Sequence, residues 1–380
     1  MIWNYEQLVI KKETTDWTTV IPTVFVEVEK TSLNTKISKR EKEQIEGKLL
    51  SPGELVKGKI EITGTVDLFA NKFNLPYMLA MVMPLLSTTD NWDGTYTHEF
   101  DGQNTYGLNT YTVEQTKDGT TERLNWVRAN GFNLTLDEEV VKLSMDLIGK
   151  KGCRVAKVLA NTSASITINK DFAALFVTWD KIVEAWDAQK VAPSNIATVV
   201  SVDYTTWVIT VWAWEWTYYT VWKAITLQRI VVAWTSTPTL RWYEWAKVEI
   251  DGSEIAVSTF WTNVTNANEA RYLTWSNAAK RIRQGQRRNE ITFEVDTEET
   301  GSINILKKYS AEDTANLKLT LIGDDIIGSW TRKASLELDY TVSFTEAMTD
   351  VAVNEFEIVN VTAIATAINT VKITTDIATI

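Results

Sequence analysis

His98 is the only histidine in this chain of 380 residues, and Cys153 is the only cysteine. A zinc site made of several histidines is therefore excluded, and a Ser-His-Asp relay would have to be built on His98 itself. His98 lies in Tyr96-Thr97-His98-Glu99-Phe100, which alternates like a half-buried strand, so a structural or surface imidazole is the expectation. Cys153 follows Lys151-Gly152 and has no second thiol to pair with. An incidental thiol in a reducing cytoplasm fits it. No Gly-x-Gly-x-x-Gly or Gly-Lys-Ser/Thr loop occurs, even with tryptophan read as glycine. The adjacent acids Glu138-Glu139 and Asp324-Asp325 fit solvated turns. No catalytic, cofactor-binding or metal site is expected, and the chain is not expected to be an enzyme.

Two basic stretches remain. Arg281-Ile282-Arg283-Gln284-Gly285-Gln286-Arg287-Arg288 has three readings: a nucleic-acid patch, a loop that meets an acidic surface of a neighbouring copy, or a solvated loop. Residues 36–48 set Lys39, Arg40 and Lys42 against Glu41, Glu43 and Glu46, the composition of a solvated loop or frayed helix. The net charge of -11 argues against a main task of gripping nucleic acid, since that affinity comes from cations set against phosphates. It allows a protein that sits beside DNA without holding it.

The elements around these residues are organised by one unit. Lys59-Ile60-Glu61-Ile62-Thr63-Gly64-Thr65-Val66-Asp67-Leu68 alternates β-branched and polar residues, which predicts a strand with one buried face. The period then becomes helical through Phe69, Phe73, Leu75, Leu79 and Val82, with Asn74 as N-cap, Pro76 in the first turn and Pro84 as the stop. Glu290-Ile291-Thr292-Phe293-Glu294-Val295-Asp296 matches Glu61 to Asp67 at five of seven positions. A helical pattern follows there too, with Ile303, Leu306, Tyr309 and Ala311 in the places of Phe73, Leu75, Tyr77 and Ala80. The spacing predicts an internal duplication.

The chain is long enough for two or three domains with real cores. The expected division is 1–160 for the first repeat, 161–245 for a small inserted β domain poor in charge, and 246–380 for the second repeat. In the first repeat, Val141, Leu143, Met145 and Leu147 alternate with Lys142, Ser144 and Asp146 as in an antiparallel strand. In the insert, residues 196–204 and 208–211 predict a hairpin about Thr205-Thr206-Trp207. The N-terminus lacks the layout of a signal peptide, and the longest apolar run, residues 75–86, is too short to span a bilayer. A soluble protein without membrane partners is expected.

Average usage would give roughly 27 glycines, but there are 16, against 17 tryptophans. Between Gly152 and Gly252 there is no glycine, and ten tryptophans lie there. Trp17, Trp179, Trp186, Trp207 and Trp330 stand at turns, where a positive φ costs glycine little and a bulky residue about 1 to 2 kcal/mol. One reading is that these tryptophans are UGA triplets that the native host decodes as glycine. The other takes them literally: a Trp-rich carbohydrate-binding β protein or adhesin, with Trp212, Trp214 and Trp216 along one strand face.

Three stretches carry a resemblance. Lys12-Glu13-Thr14-Thr15-Asp16-Trp17-Thr18 is similar to the Lys-Glu-x-Thr-x-Gly-Thr opening of tail tube (major tail) proteins of long-tailed bacteriophages, once Trp17 is taken as glycine. The strand-helix unit after a long loop is the second. The third is residues 126–136, similar to the family's Gly-Val-x-Val-Asn-x-Leu-x-Leu strand, followed by an amphipathic strand ending in Ile148-Gly149-Lys150.

The resemblance covers residues 1–155 and, less closely, 245–350. It implies a mainly β fold: two tandem β-sandwich or half-barrel domains, each with a short flanking helix, and a small all-β domain between them. It further implies units closing into a ring with a shared β-barrel, and rings stacking into a hollow virion tail tube through which DNA passes unbound. Two units per chain imply a ring of three chains with pseudo-six-fold symmetry; a six-chain ring is the alternative. Partners would be further copies of the chain and other tail proteins, with no cofactor. Lys39, Arg40, Lys42, Arg281, Arg283, Arg287 and Arg288 are the candidate contacts between rings.

Overall fold

Runs of alternating β-branched and polar residues dominate the sequence, and the chain accordingly folds as a mainly β protein around a curled half-barrel sheet. A computed structural model describes residues 7–14, 18–42, 54–103, 108–117, 120–136, 141–162, 164–168, 170–184, 196–212, 224–227, 246–272, 279–296, 300–325, 333–350 and 358–380.

The first part holds β1 (Gln7–Lys12), β2 (Val24–Val26), β3 (Lys30–Thr31), β4 (Asn34–Lys42) and the long β5 (Glu54–Phe69), which runs into α1 (Leu75–Val82). Next come β6 (Leu85–Asp90), β7 (Tyr96–Phe100), β8 (Tyr111–Lys117), β9 (Thr120–Leu136) and β10 (Val141–Gly149). The middle part is β11 (Lys151–Cys153), β12 (Ala156–Thr162), β13 (Ser165–Ile168), the single turn α2 (Lys170–Ala173), β14 (Lys181–Glu184), β15 (Ala197–Asp203), β16 (Val208–Val211) and β17 (Ala224–Leu227). The last part is β18 (Ala246–Ile250), β19 (Ser253–Ile255), β20 (Val257–Thr265), β21 (Glu269–Arg271), β22 (Arg281–Arg283), β23 (Arg288–Asp296), α3 (Thr300–Ala311), β24 (Thr314–Asp325), β25 (Lys333–Asp350) and β26 (Ile358–Thr375).

The central sheet is antiparallel and runs β4-β5-β10-β9-β20-β23-β26-β25. Its apolar face carries Ile62, Val66, Leu143, Met145, Phe132, Leu134, Phe260, Ile291, Phe293 and Val361, all buried in one continuous core. β9 and β25 are long and serve two sheets each. The first half of β9 pairs with β8, which continues through β1 to β2. The first half of β25 pairs with β24, which continues through β18 to β19.

Both strand-helix units are present: β5 leads into α1, packed on β9 and β7, and β23 leads into α3, packed on β25, β23 and β19. Asn74 occupies the N-cap position of α1, but its side chain bonds to the Asn71 amide and the Phe69 carbonyl instead of the first helical turn. The α3 residues matched to Phe73 and Tyr77 do not form its inward face. Ile303 and Tyr309 are exposed, whereas Ser302 and Ile305 are buried and Leu306 partly so. Positions three and four apart share a helix face, and the phase is set by Ile305.

A second hydrophobic cluster takes in Val158, Ile166, Phe176, Ile182, Val199, Ile209 and Ile225. It begins at Cys153 and Ala156, ahead of the boundary expected at 161. The predicted hairpin is β15–β16, closed by residues 204–207. Residues 36–42 are a correction as well: they belong to β4 and pair with β5, so this half of the charged run is neither a loop nor a helix.

Candidate assembly surface

The seam between β9 and β20 joins the two halves of the sheet. Leu134 pairs with Thr262, Asn133 with Asn263, Phe132 with Val264 and Gly131 with Thr265. A Cβ at Gly131 would lie 2.4 Å from the Val264 carbonyl oxygen, so glycine is what lets the strands approach there. Asn266 and Asn268 pin the end of β20 by donating to the Ala129 carbonyl, Asn268 at 2.9 Å.

Two strand edges of the same kind are open among the described residues. The outer side of β4 has no pairing, and the second half of β25, beyond Ser343, pairs only with β26. Aligning Glu61–Asp67 with Glu290–Asp296 puts β4 in the place of β20 and this half of β25 in the place of the seam half of β9. Ile37 then corresponds to Val264. Val264 is fully buried in the seam, whereas Ile37, on the same face, is 43% exposed.

Of the basic residues singled out in the sequence, Lys39, Arg40 and Lys42 lie along β4, on the open edge; nothing is described of their side chains. Arg281 and Arg283 are exposed on β22 and line a cavity of about 670 Å³ with Lys12, Glu13, Arg128 and Gln284. Arg288 is exposed at the start of β23 and pairs with Glu290 at 2.6 Å.

Arg287 is different, because its guanidinium is committed inside the chain. Nε donates to Asn266 Oδ1 at 2.9 Å, Nη1 to the carbonyls of Asp101 and Gly102 at 3.1 and 2.7 Å, and Nη2 to the Val82 carbonyl at 2.8 Å. Burial pulls its pKa down to about 10, with Asp101 opposing. It ties the end of α1 and the turn after β7 to the end of β20, so it is not available as a contact between rings.

The other face of the central sheet is polar. Glu61, Thr63, Thr65 and Asp67 on β5 lie beside Ser144 and Asp146 on β10, and Asn133 on β9 beside Asn263, Glu290 and Glu294. Burial, then the nearby Asp67, pushes the Asp146 carboxyl above its usual range.

His98 is fully buried on β7. Its Nε2–H donates to the Ile377 carbonyl at 2.8 Å, and Nδ1 is 2.9 Å from the Thr88 hydroxyl, which donates to it. Burial lowers its pKa and the Ile377 bond opposes this. Cys153 is buried in the second core. Of the aromatic row, Trp212 is exposed, and Trp214 and Trp216 lie outside the described residues. Among the described residues, no group of three His, Cys, Asp or Glu could hold a metal, and no helix is long and apolar enough to cross a membrane.

Sequence reasoning missed Ile37 because charges surround it in Thr35-Lys36-Ile37-Ser38-Lys39. The signal was the alternation Leu33, Thr35, Ile37, which continues the buried face of β5 across to β4. No protein-family model matches this chain, and no match is found among curated proteins.

Proposed function

We propose that this chain is a structural subunit that polymerises into rings stacked as a hollow tube, the tail tube of a long-tailed phage. It would be built of two tandem tube units with a small all-β domain between them. The observation that carries the reading is the β9–β20 seam together with two open edges of matching kind. What β20 does for β9 within the chain, β4 of a second copy would do for β25.

The register follows from the repeat. Asn133 faces Asn263 in the internal seam, so Asp350 of one copy would face Lys36 of the next, and Thr349 would face Ile37. A neutral pair inside the chain becomes an oppositely charged pair between chains, and opposite charges directly across two strands favour that register. Closing the edges in this way also removes exposed strand templates that would otherwise invite aggregation.

Each copy contributes the eight strands of the central sheet, and three copies would close a barrel with pseudo-six-fold symmetry. With strands about 4.8 Å apart and tilted about 40°, such a barrel is roughly 48 Å across between backbones, wider than a DNA duplex. Its lumen would be the polar face, where Glu61, Asp67, Asp146, Glu290 and Glu294 outnumber Lys36, Lys59 and Lys142, an acidic excess that would repel phosphate and let DNA slide. Arg281, Arg283 and Arg288, with Lys39, Arg40 and Lys42, remain the contacts proposed between rings.

Negative-stain microscopy of the purified chain tests the reading. Tubes or rings are the expected result. A monomer that stays dispersed at every concentration, with circular dichroism of a folded β protein, would overturn it.

A further inference from the structure

Six tryptophans lie among the described residues, and four of them have positive φ: Trp92 at 63°, Trp126 at 58°, Trp179 at 76° and Trp207 at 62°. Only a few per cent of non-glycine residues sit there, and for a bulky side chain it is a genuine outlier. At about 3% per residue, four of six by chance is on the order of one in 10⁵. All the other described non-glycine residues together supply four more: Ala164, Asp251, Ala267 and Glu312.

The backbone at each of the four positions does what glycine does. Trp207 closes the four-residue loop between β15 and β16; its N–H donates to the Asp203 carbonyl at 2.8 Å and its carbonyl accepts from the Ile168 N–H at 3.1 Å. Trp126 lies where the β8–β9 register slips from Tyr111 opposite Val127 to Val113 opposite Leu124. That is a bulge whose left-handed position normally holds glycine. Trp92 is at the β6–β7 turn, two residues before Gly94, itself at φ 80°. Trp179 donates its N–H to the Val199 carbonyl at 2.8 Å.

The side chains, by contrast, do little. The Trp92 residue is 92% exposed and Trp179 67% exposed, so neither ring contributes to a core. Trp126 and Trp207 are the exceptions: the Trp126 ring is buried 4.2 Å from the Lys150 ammonium, and Trp207 is partly buried against the second hydrophobic cluster.

We propose that residues 92, 126, 179 and 207 are glycine in the protein as its native cell makes it, because UGA triplets at these codons are decoded there as glycine. UGA differs from the glycine triplet GGA in its first base alone, so a change in one glycine tRNA anticodon suffices. The shortage of glycine and the stretch from Gly152 to Gly252 with ten tryptophans and no glycine follow from the same cause. The inference does not depend on tube assembly.

Peptide mass spectrometry of the protein purified from its native source reads the four positions directly. Glycine at all four is expected, with UGA in the gene at each codon. Tryptophan at these positions, or UGG codons there, would overturn the proposal. A second arm uses recombinant chain made with tryptophan as written and the double variant Trp92→Gly and Trp179→Gly, which leaves the packed Trp126 and Trp207 rings in place. The double variant should raise the folded-to-unfolded ratio roughly 5- to 30-fold, after allowing for the extra unfolded freedom of glycine. A less stable double variant would count against it.

Discussion

Arg123 holds Asp180 in a two-pronged ion pair, Nη1 to Oδ2 at 2.6 Å and Nη2 to Oδ1 at 2.7 Å, with both side chains buried. Its Nε donates to Glu114 Oε1 at 2.6 Å and its Nη1 also to the Leu175 carbonyl at 2.8 Å. Arg123 is on β9 of the central body, and Asp180 precedes β14 of the second core. This guanidinium ties the middle part of the chain to the body, beside the pairing of β11 and β17 with β9 and the Thr19 hydroxyl bond to the Ala174 carbonyl.

Removing that guanidinium should be severe. Burial by itself would lower the Arg123 pKa, but Glu114 and Asp180 more than offset it and the net shift is upward. Arg123→Met leaves two buried carboxylates without their cation, and a loss of about 3 to 5 kcal/mol is expected in chemical denaturation. Arg123→Lys keeps the charge but not the fork, and should lose less. A change below about 1 kcal/mol for Arg123→Met would show that water reaches the pair.

The seam register gives a sharper test of assembly. Ile37→Asp puts a charge on the open β4 edge, where the side chain is exposed, so the monomer should unfold within about 0.5 kcal/mol of wild type. Tubes should be absent. Lys36→Asp should also block assembly by setting two acids face to face, and Asp350→Lys in the same chain should restore it. Restoration failing while both single variants remain folded would refute the register.

How much was legible depended on whether a signal was local. The unit from Lys59 to Val82 carries its own evidence, a period of two that becomes helical, then Pro84. β4 was hidden because an edge strand is protected by charge, and Lys36, Lys39, Arg40 and Lys42 look like a solvated run when read alone. Arg123 was invisible for a different reason: its partner Asp180 is 57 residues away and nothing in Thr121-Glu122-Arg123-Leu124 announces it. Tryptophan in glycine positions was legible at Trp179 and Trp207, where turn chemistry flanks them, and the structure adds Trp92 and Trp126. Trp17, Trp186 and Trp330 lie outside the described residues.

Adjacent arginines should behave in opposite ways. Arg287→Ala removes the guanidinium donors to the Asp101 and Gly102 carbonyls and to Asn266 Oδ1, leaving the Val82 carbonyl with the Asn266 amide, and a loss of about 2 to 4 kcal/mol is expected. Arg288→Glu gives up only an exposed pair with Glu290, worth less than about 1 kcal/mol, so stability should barely move. If Arg288 bridges rings, tube length should fall in Arg288→Glu while the monomer melts as wild type. Wild-type tubes from that variant would remove Arg288 from the contact set.

His98 should make the closure of the sheet sensitive to acid. β7 pairs with the end of β26, and the imidazole Nδ1 accepts a hydrogen bond from the Thr88 hydroxyl only while that nitrogen is unprotonated. Burial lowers its pKa in the folded chain, so the unfolded chain binds the proton more tightly. The stabilisation is then complete above the unfolded value of about 6.5 and is lost as pH falls below it. His98→Gln can still donate to Ile377 and accept from Thr88, but carries no titrating proton. Thermal melts from pH 7 to 5 should show wild type losing stability against His98→Gln, with the two profiles meeting above pH 7. Parallel profiles across that window would mean that carboxylates elsewhere, and not His98, set the acid limit.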